Sequence, residues 1–206
     1  MILYIETNFI VGGALGQESR IDELLKIPRS QLQIFLPSIC IMESWSVFER
    51  MRADRNRFYN EPIDREIREL KRNRTSSSAR SLQDHLEAAQ VENETLLNDI
   101  GNGIFNLLSK LAGRVEGFEP VELLAVDHHA LVDSLAPTCL DEPTDFLIVT
   151  AIAAHARKHP DLHKAFLSAN TRDFKKESFK YLLDGANIKY FGDSTGLLNW
   201  LRPSGL

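Results

Sequence analysis

Four acidic residues, far apart in the chain, stand where an apolar run ends or where the next helix begins. They are Glu6, Glu43, Asp145 and Asp173. Ligands of open α/β sheets bind outside the carboxyl ends of the strands, so we expect the four side chains to meet at one edge. Carboxylates this close repel each other unless a divalent cation neutralises them, and all-oxygen sites suit Mg²⁺ or Mn²⁺. The sequence therefore predicts an acidic metal site.

Other polar residues lie beside these acids and are candidates to support them. The supporting candidates are Thr7, Asn8, Asn170 and Asp141. Thr7 and Asn8 can cap the helix that follows Glu6 and bond its carboxylate loop, since short polar side chains bond nearby backbone groups. Asn170 can hold a water or a neighbouring carboxylate. We therefore expect a polar network around the acids.

Each acid also has a simpler structural interpretation. Glu6 could be an ordinary acid at the end of a strand, and Glu43, with Ser38 as the helix cap, could be stabilised only by the helix dipole. The helix near Asp145 is apolar nearly all round, so it must be buried, and its polar first turn faces a cleft. A rival metal site at His128-His129 is disfavoured because adjacent histidines on a helix point in different directions. Only the joint placement of the acids favours a metal.

Composition fits a soluble cytoplasmic protein. The 206 residues are 43% hydrophobic and 26% charged, as in ordinary globular domains. The net charge of −5 argues against non-specific coating of nucleic acid but allows a local basic surface. We expect no membrane span and no signal peptide, because no apolar run approaches about 18 residues. We interpret Cys40 and Cys139 as buried apolar residues, and His155, His159 and His163 as solvated.

Strand-like apolar runs alternate with helical patterns along most of the chain. The predicted strands are 2–5, 33–36, 123–126, 165–167 and 188–191. The predicted helices are 8–16, 21–26, 38–54, 128–135, 144–159 and 195–201. Such alternation is typical of an α/β protein with a mostly parallel sheet covered on both faces.

The middle region, 56–117, breaks the alternation. A charged helix is predicted from Pro62 to about residue 74, followed by a serine-rich turn. A long amphipathic helix then begins at Ser78 or Ser81 and ends near Gly113, with apolar residues at three- and four-residue steps. This hairpin could pack on the sheet or on itself, and the alternatives are dimerisation and substrate contact.

The four acidic segments resemble, in order, the signature stretches of the PIN domain, a family of metal-dependent nucleases. The quoted stretches are Ile-Leu-Tyr-Ile-Glu-Thr-Asn, Leu36 to Glu43, Asp145-Phe-Leu-Ile-Val-Thr, and Leu-Ser-Ala-Asn-Thr-Arg-Asp-Phe. The resemblance implies one α/β domain over 1–206, with a central parallel sheet of about five strands flanked by helices and a helical insertion at 56–117. It also implies endoribonuclease cleavage of single-stranded RNA with Mg²⁺ or Mn²⁺. The implied metal and catalytic residues are Glu6, Glu43, Asp145 and Asp173.

The chain departs from the family pattern in two places. Glu6 stands where the family has Asp, and its extra methylene moves the carboxylate outward by about 1.5 Å. The long middle region is foreign to the small toxin ribonucleases that the last segment resembles. An alternative is therefore an inactive PIN-like module that binds RNA or docks a protein. The likeness to toxins also suggests a homodimer and an antitoxin-like protein inhibitor as partners.

A basic stretch offers phosphate contacts in this otherwise acidic chain. The RNA-binding candidates are Arg50, Arg57, Arg65, Arg68, Lys71, Arg72 and Arg172. Acids interleave with most of them, so the alternative is a solvated face with internal ion pairs. Phe58 and Tyr59 could stack on a base, but we expect Phe58 to be buried.

Overall fold

The computed structural model describes residues 1–73, 75–126, 128, 131–132, 143–174 and 177–201, without the side chains of Asn60, Asp173 and Ser178. Its strands are β1 (Ile2–Ile5), β2 (Gln33–Pro37), β3 (Glu122–Leu124), β4 (Lys164–Leu167) and β5 (Ile188–Phe191). Its helices are α1 (Thr7–Ala14), α2 (Ile21–Leu25), α3 (Ile39–Leu70), α4 (Ser77–Leu111), α5 (Pro143–Arg157), α6 (Thr171–Phe174), α7 (Glu177–Gly185) and α8 (Ser194–Leu201). The predicted helix at 128–135, Asp141, Cys139 and His129 fall wholly or partly outside the described residues.

The five strands form one parallel sheet in the order β3-β2-β1-β4-β5. All four residues of β1 are buried, as expected for a central strand covered by helices on both faces. The predicted α/β fold with a five-stranded parallel sheet is therefore confirmed. The order places the ends of β1, β2 and β4 side by side, and these strands precede Glu6, the Glu43 helix and the Asn170 loop.

The prediction of two helices in 38–74 was wrong, because α3 runs unbroken for 32 residues with Pro62 inside it. Proline removes one backbone donor from a helix and tends to kink it. One turn before Pro62, the Tyr59 carbonyl accepts a hydrogen bond of 3.3 Å from Gln90 of α4, whose amide also donates to Asp64 at 2.7 Å. Gln90 of α4 therefore contacts α3 on both sides of the proline.

Helix α4 returns along α3 and then enters the main core. Ser76, in the predicted serine-rich turn, caps the start of α4 by accepting a hydrogen bond of 3.1 Å from the Ala79 amide, and the helix begins at Ser77 rather than at Ser78 or Ser81. Its second half buries Ile100, Ile104 and Leu107 in the same cluster as the sheet. The predicted insertion is therefore a protruding hairpin at one end and part of the core at the other.

His155 is not the solvated residue that we expected. Its Nδ1 lies 2.9 Å from the Tyr4 hydroxyl, and its ring centroid lies 4.4 Å from that of Phe35. Burial, and to a lesser extent the positive charges of His159 and Lys158, lower the pKa of His155. His155 therefore helps to pack α5 against the sheet.

Two further expectations concern single residues. Cys40 is fully buried, as expected, and burial raises the pKa of its thiol. Ser38 occupies the N-cap of α3 but makes no capping hydrogen bond with its side chain, contrary to the prediction. Within the described ranges, none of the helices has both the length and the apolar character needed to cross a membrane.

Candidate active site

Glu6 follows β1 directly and is 1% exposed. Its own side chain caps α1, because Oε2 accepts a hydrogen bond of 2.8 Å from the Asn8 backbone amide. The capping role expected of Thr7 and Asn8 side chains thus belongs to Glu6. The second carboxyl oxygen, Oε1, is buried and has no hydrogen-bond partner of normal geometry among the described residues. A buried acceptor without a donor is costly, so Oε1 is suited to receive a cation or a proton.

Three acids from three separate elements influence each other electrostatically. Burial is the main cause that raises the pKa of Glu6 to about 7 from its usual 4.5, and the charges of Asp145 and Glu43 raise it further. The Asn8 amide and the nearby Ser168 hydroxyl act in the opposite direction. Glu6, Glu43 and Asp145 are therefore close enough for the charges of the other two to act on Glu6.

Glu43 lies in the second turn of α3 and is half-buried. Its Oε2 accepts a hydrogen bond from the hydroxyl of Thr7, which is itself buried in the first turn of α1. This bond fixes Glu43 next to the backbone that carries Glu6. The sequence put Thr7 near the site, but its partner could not be read from the local pattern.

Asp145 lies in the first turn of α5, as expected, and is half-buried. Its Oδ2 accepts a hydrogen bond of 3.0 Å from the side-chain amide of Asn170. The Asn170 backbone amide in turn donates to Ser168 Oγ at 3.0 Å. The predicted role of Asn170, to hold a neighbouring carboxylate, is the one that this geometry gives it.

Sequence reasoning missed Tyr190 of β5. Its hydroxyl donates a hydrogen bond of 2.6 Å to the Ser168 carbonyl, at the end of the neighbouring strand β4. Burial, followed by the charge of Glu6, raises the pKa of Tyr190 to about 12. The predicted strand 188–191 was the signal that could have placed Tyr190 beside Ser168.

The fourth acid is described only in part. Asp173 belongs to α6, directly after the loop that carries Asn170. In the described part of the chain, no group of three His, Cys, Asp or Glu side chains is placed so that it could hold a metal ion. The donors nevertheless have the right chemistry, since carboxylate oxygens suit Mg²⁺ and Mn²⁺ and Glu6 Oε1 has no hydrogen bond of normal geometry to the described residues.

The basic candidates separate into two groups. Lys71 pairs with Glu87 at 3.4 Å and Arg72 with Glu69 at 3.0 Å, so the interpretation as internal ion pairs holds for these two. Four other candidates on α3 are exposed, and the described side chains provide no ion-pair partner for any of them: Arg50, Arg57, Arg65 and Arg68. Arg172 is also exposed.

The fold is that of an open parallel α/β protein, and its carboxylates are grouped at the carboxyl edge of the sheet, where ligands of such proteins bind. A sequence model described as PIN domain matches residues 3–174, and the chain belongs to the PIN domain family. Comparison with curated proteins and with solved structures gave no match. PIN domains are generally nucleases that use divalent metals, so a nuclease-type function is the general assignment for this chain.

Proposed function

We propose that this protein is a metal-dependent endoribonuclease that hydrolyses phosphodiester bonds of single-stranded RNA. The observation that carries the proposal is the environment of Glu6, a fully buried carboxyl on which two acids act, with one oxygen that has no hydrogen bond of normal geometry to any described residue. A purely structural glutamate at a strand end would be exposed or fully bonded. Repulsion of this kind is relieved when a cation binds.

Glu6, Glu43 and Asp145 would hold Mg²⁺ or Mn²⁺, and Asp173 would support them. The ion would neutralise the carboxylates, polarise a phosphoryl oxygen and lower the pKa of a water molecule. The residues of the chain supply position: Thr7 orients Glu43, and Asn170 orients Asp145. Partners of this kind typically change metal affinity or activity about 10–100-fold when they are removed.

The binding of RNA would rest on the exposed cations of α3 and α6. Arg50, Arg57, Arg65, Arg68 and Arg172 are available to phosphates, whereas Lys71 and Arg72 are already paired with acids. We further propose a cytoplasmic location and a single domain over 1–206. A homodimer and an antitoxin-like inhibitor stay predictions of the family resemblance.

A second candidate is a PIN-like module that binds RNA or docks a protein without cleaving. The observation that favours it is the lack, within the described residues, of a three-ligand group that could hold a metal. The replacement of Asp by Glu at position 6 points the same way, because a longer side chain moves the carboxylate.

The two candidates separate in a cleavage assay on a single-stranded RNA of about 20 nucleotides. We expect cleavage with Mn²⁺ that EDTA abolishes, and loss of at least about 100-fold in Glu6→Gln and Asp145→Asn. Asp184→Asn removes an exposed acid of α7 and is the control that should keep full activity. Equal cleavage by parent and Glu6→Gln would contradict the nuclease. RNA binding without cleavage, and without any effect of Mn²⁺ on the melting temperature, would establish the binding module.

A further inference from the structure

The free arginines of α3 lie in one row with Glu43. Glu43, Arg50, Arg57 and Arg68 are spaced by seven, seven and eleven residues. Seven residues make about two turns of an α-helix and eleven about three, so these positions fall on the same side. Arg65 lies on this side as well. Since α3 is continuous, the row extends about 37 Å from Glu43 along the helix.

The paired cations of α3 mostly lie elsewhere on the helix. Arg52 is bound to Glu49 at 3.6 Å and lies on the side opposite to Arg50, because two residues turn the helix by about half a circle. Lys71 is held by Glu87 of α4. Besides Glu43 at its start, the row contains two acids, Asp54 and Glu61, and four arginines. The row is therefore a positive strip on a protein whose net charge is −5.

An exposed aromatic ring lies beside this strip. Phe58, which we expected to be buried, is 65% exposed. It packs edge-on against Tyr59, with the ring centroids 5.2 Å apart, so its orientation is partly fixed. Proteins that bind single strands combine a positive path for the phosphates with aromatic rings on which bases stack. The strip and Phe58 together have this composition.

We propose that this strip is a track for single-stranded RNA, which leads from the acidic site outward along the helical hairpin. Phosphates contact Arg50, Arg57, Arg65 and Arg68 in turn, and one base stacks on Phe58. The position of the cut relative to this track rests on the proposed function, but binding along the track does not. The protein consequently prefers RNA with a long unpaired segment on one side of the cleaved bond.

Binding is measured by fluorescence anisotropy in EDTA, with oligouridines of about 20 and about 4 nucleotides, over a series of salt concentrations. We expect Arg57→Gln/Arg68→Gln to weaken binding of the long strand about 10-fold or more. For the variant, the slope of the logarithm of the binding constant against the logarithm of salt concentration should decrease in magnitude by about 1.4, since each lost phosphate contact to a single strand removes about 0.7. The parent and the variant should bind the short strand with equal affinity.

Two matched controls make the result specific. Arg52→Gln/Lys71→Gln removes the same charge from two paired positions, one within α3 and one directly after its last residue, and it should leave the salt dependence of binding almost unchanged. Phe58→Ala should weaken binding about 5-fold or more, with rescue by Phe58→Trp. Phe105→Ala, which removes an equally exposed ring (60%) from α4, should not weaken it.

The outcomes separate the two proposals. Equal loss in Arg52→Gln/Lys71→Gln, or equal binding of long and short strands by the parent protein, overturns the track. A protein that binds long RNA through the arginine strip but cleaves nothing with Mn²⁺ supports the track and overturns the nuclease. Both proposals are supported if the parent cleaves the long strand and only Arg57→Gln/Arg68→Gln cleaves it with a higher KM.

Discussion

The hydroxyl of Thr7 donates a hydrogen bond to Oε2 of Glu43, across 36 positions of sequence and between the first turn of α1 and the second turn of α3. Glu6 lies immediately before Thr7 and caps the same helix. One short segment of backbone therefore places its own carboxylate and orients a second one. This arrangement explains how acids from separate elements can be held in a common negative region.

Replacing Thr7 by Val removes the hydroxyl and keeps the shape of the side chain. We expect the Mn²⁺-dependent rise in melting temperature to weaken and cleavage to fall about 10–100-fold, because Glu43 loses its orienting partner. Thr7→Ser keeps the hydroxyl and should retain most activity. Metal titration by thermal melting, together with cleavage rates, checks both variants. Full activity of Thr7→Val would show that Glu43 needs no such partner.

The stability of the metal-free protein should depend on the protonation of Glu6. The folded protein holds this proton up to about pH 7, whereas the unfolded chain releases it near 4.5. The stabilisation by the protonated carboxyl is therefore complete below about pH 4.5 and is lost as the pH rises through about 7. At pH 8 the ionised side chain costs about 3 kcal/mol relative to the neutral one.

Glu6→Gln isolates this effect. Relative to the parent, its free energy of unfolding should increase by about 2.5 kcal/mol between pH 5 and pH 8, measured by urea denaturation in EDTA. Addition of Mn²⁺ at pH 8 should stabilise the parent but not Glu6→Gln, since binding to the folded state alone raises stability. A difference between the two proteins that does not change with pH would refute the assignment of the buried proton to Glu6.

Glu6→Asp restores the side chain that the family usually has at this position. The shorter side chain withdraws the carboxylate by about 1.5 Å, and misplacement of about 1 Å can cost about 100-fold in rate. We expect Mn²⁺-dependent cleavage to increase, by up to about 100-fold if Glu6 is the only obstacle. Asp also caps helices well, so α1 should remain stable. Lower activity in Glu6→Asp would mean that the site is adapted to glutamate.

The close contact between α1 and α4 should tolerate no extra methyl group at Gly103. A Cβ there would lie 3.1 Å from the Ala14 carbonyl oxygen and 3.2 Å from its Cα, and backbone atoms cannot move aside easily. We expect Gly103→Ala to lose about 1–3 kcal/mol of unfolding free energy in urea melts. Gly12→Ala, which meets only flexible side chains at 3.7 Å or more, should be neutral or gain up to about 1 kcal/mol. Equal stability of the two variants would contradict this packing.

Local sequence patterns predicted the sheet well, because buried parallel strands are short apolar runs between turns. They also placed Glu6 after a strand and Glu43 on a helix. They failed at Pro62, since the contact of Gln90 with the Tyr59 carbonyl comes from a different helix. They failed at His155 for a similar reason: its partner Tyr4 is 151 positions away. Contacts of this range leave no periodic signal.

The site was predictable as a set of acids but not as a network. The strand-end positions indicated Glu6, Glu43 and Asp145, which influence each other electrostatically, whereas the bonds from Thr7 to Glu43 and from Asn170 to Asp145 depend on side-chain geometry. Phe58 was misjudged because an aromatic residue is usually buried, and only the structure shows which side of α3 faces away from α4.

The burial of the second half of α4 means that the middle region cannot be excised as a cassette. Ile100, Ile104 and Leu107 fill the same core as the sheet, so deletion of 56–117 would open a large void rather than recreate a minimal ancestor. A shortened variant would have to lose equal numbers of helical turns from α3 after Phe48 and from α4 before Leu97. The middle region is therefore part of the hydrophobic core, and its removal would first destabilise the folded protein.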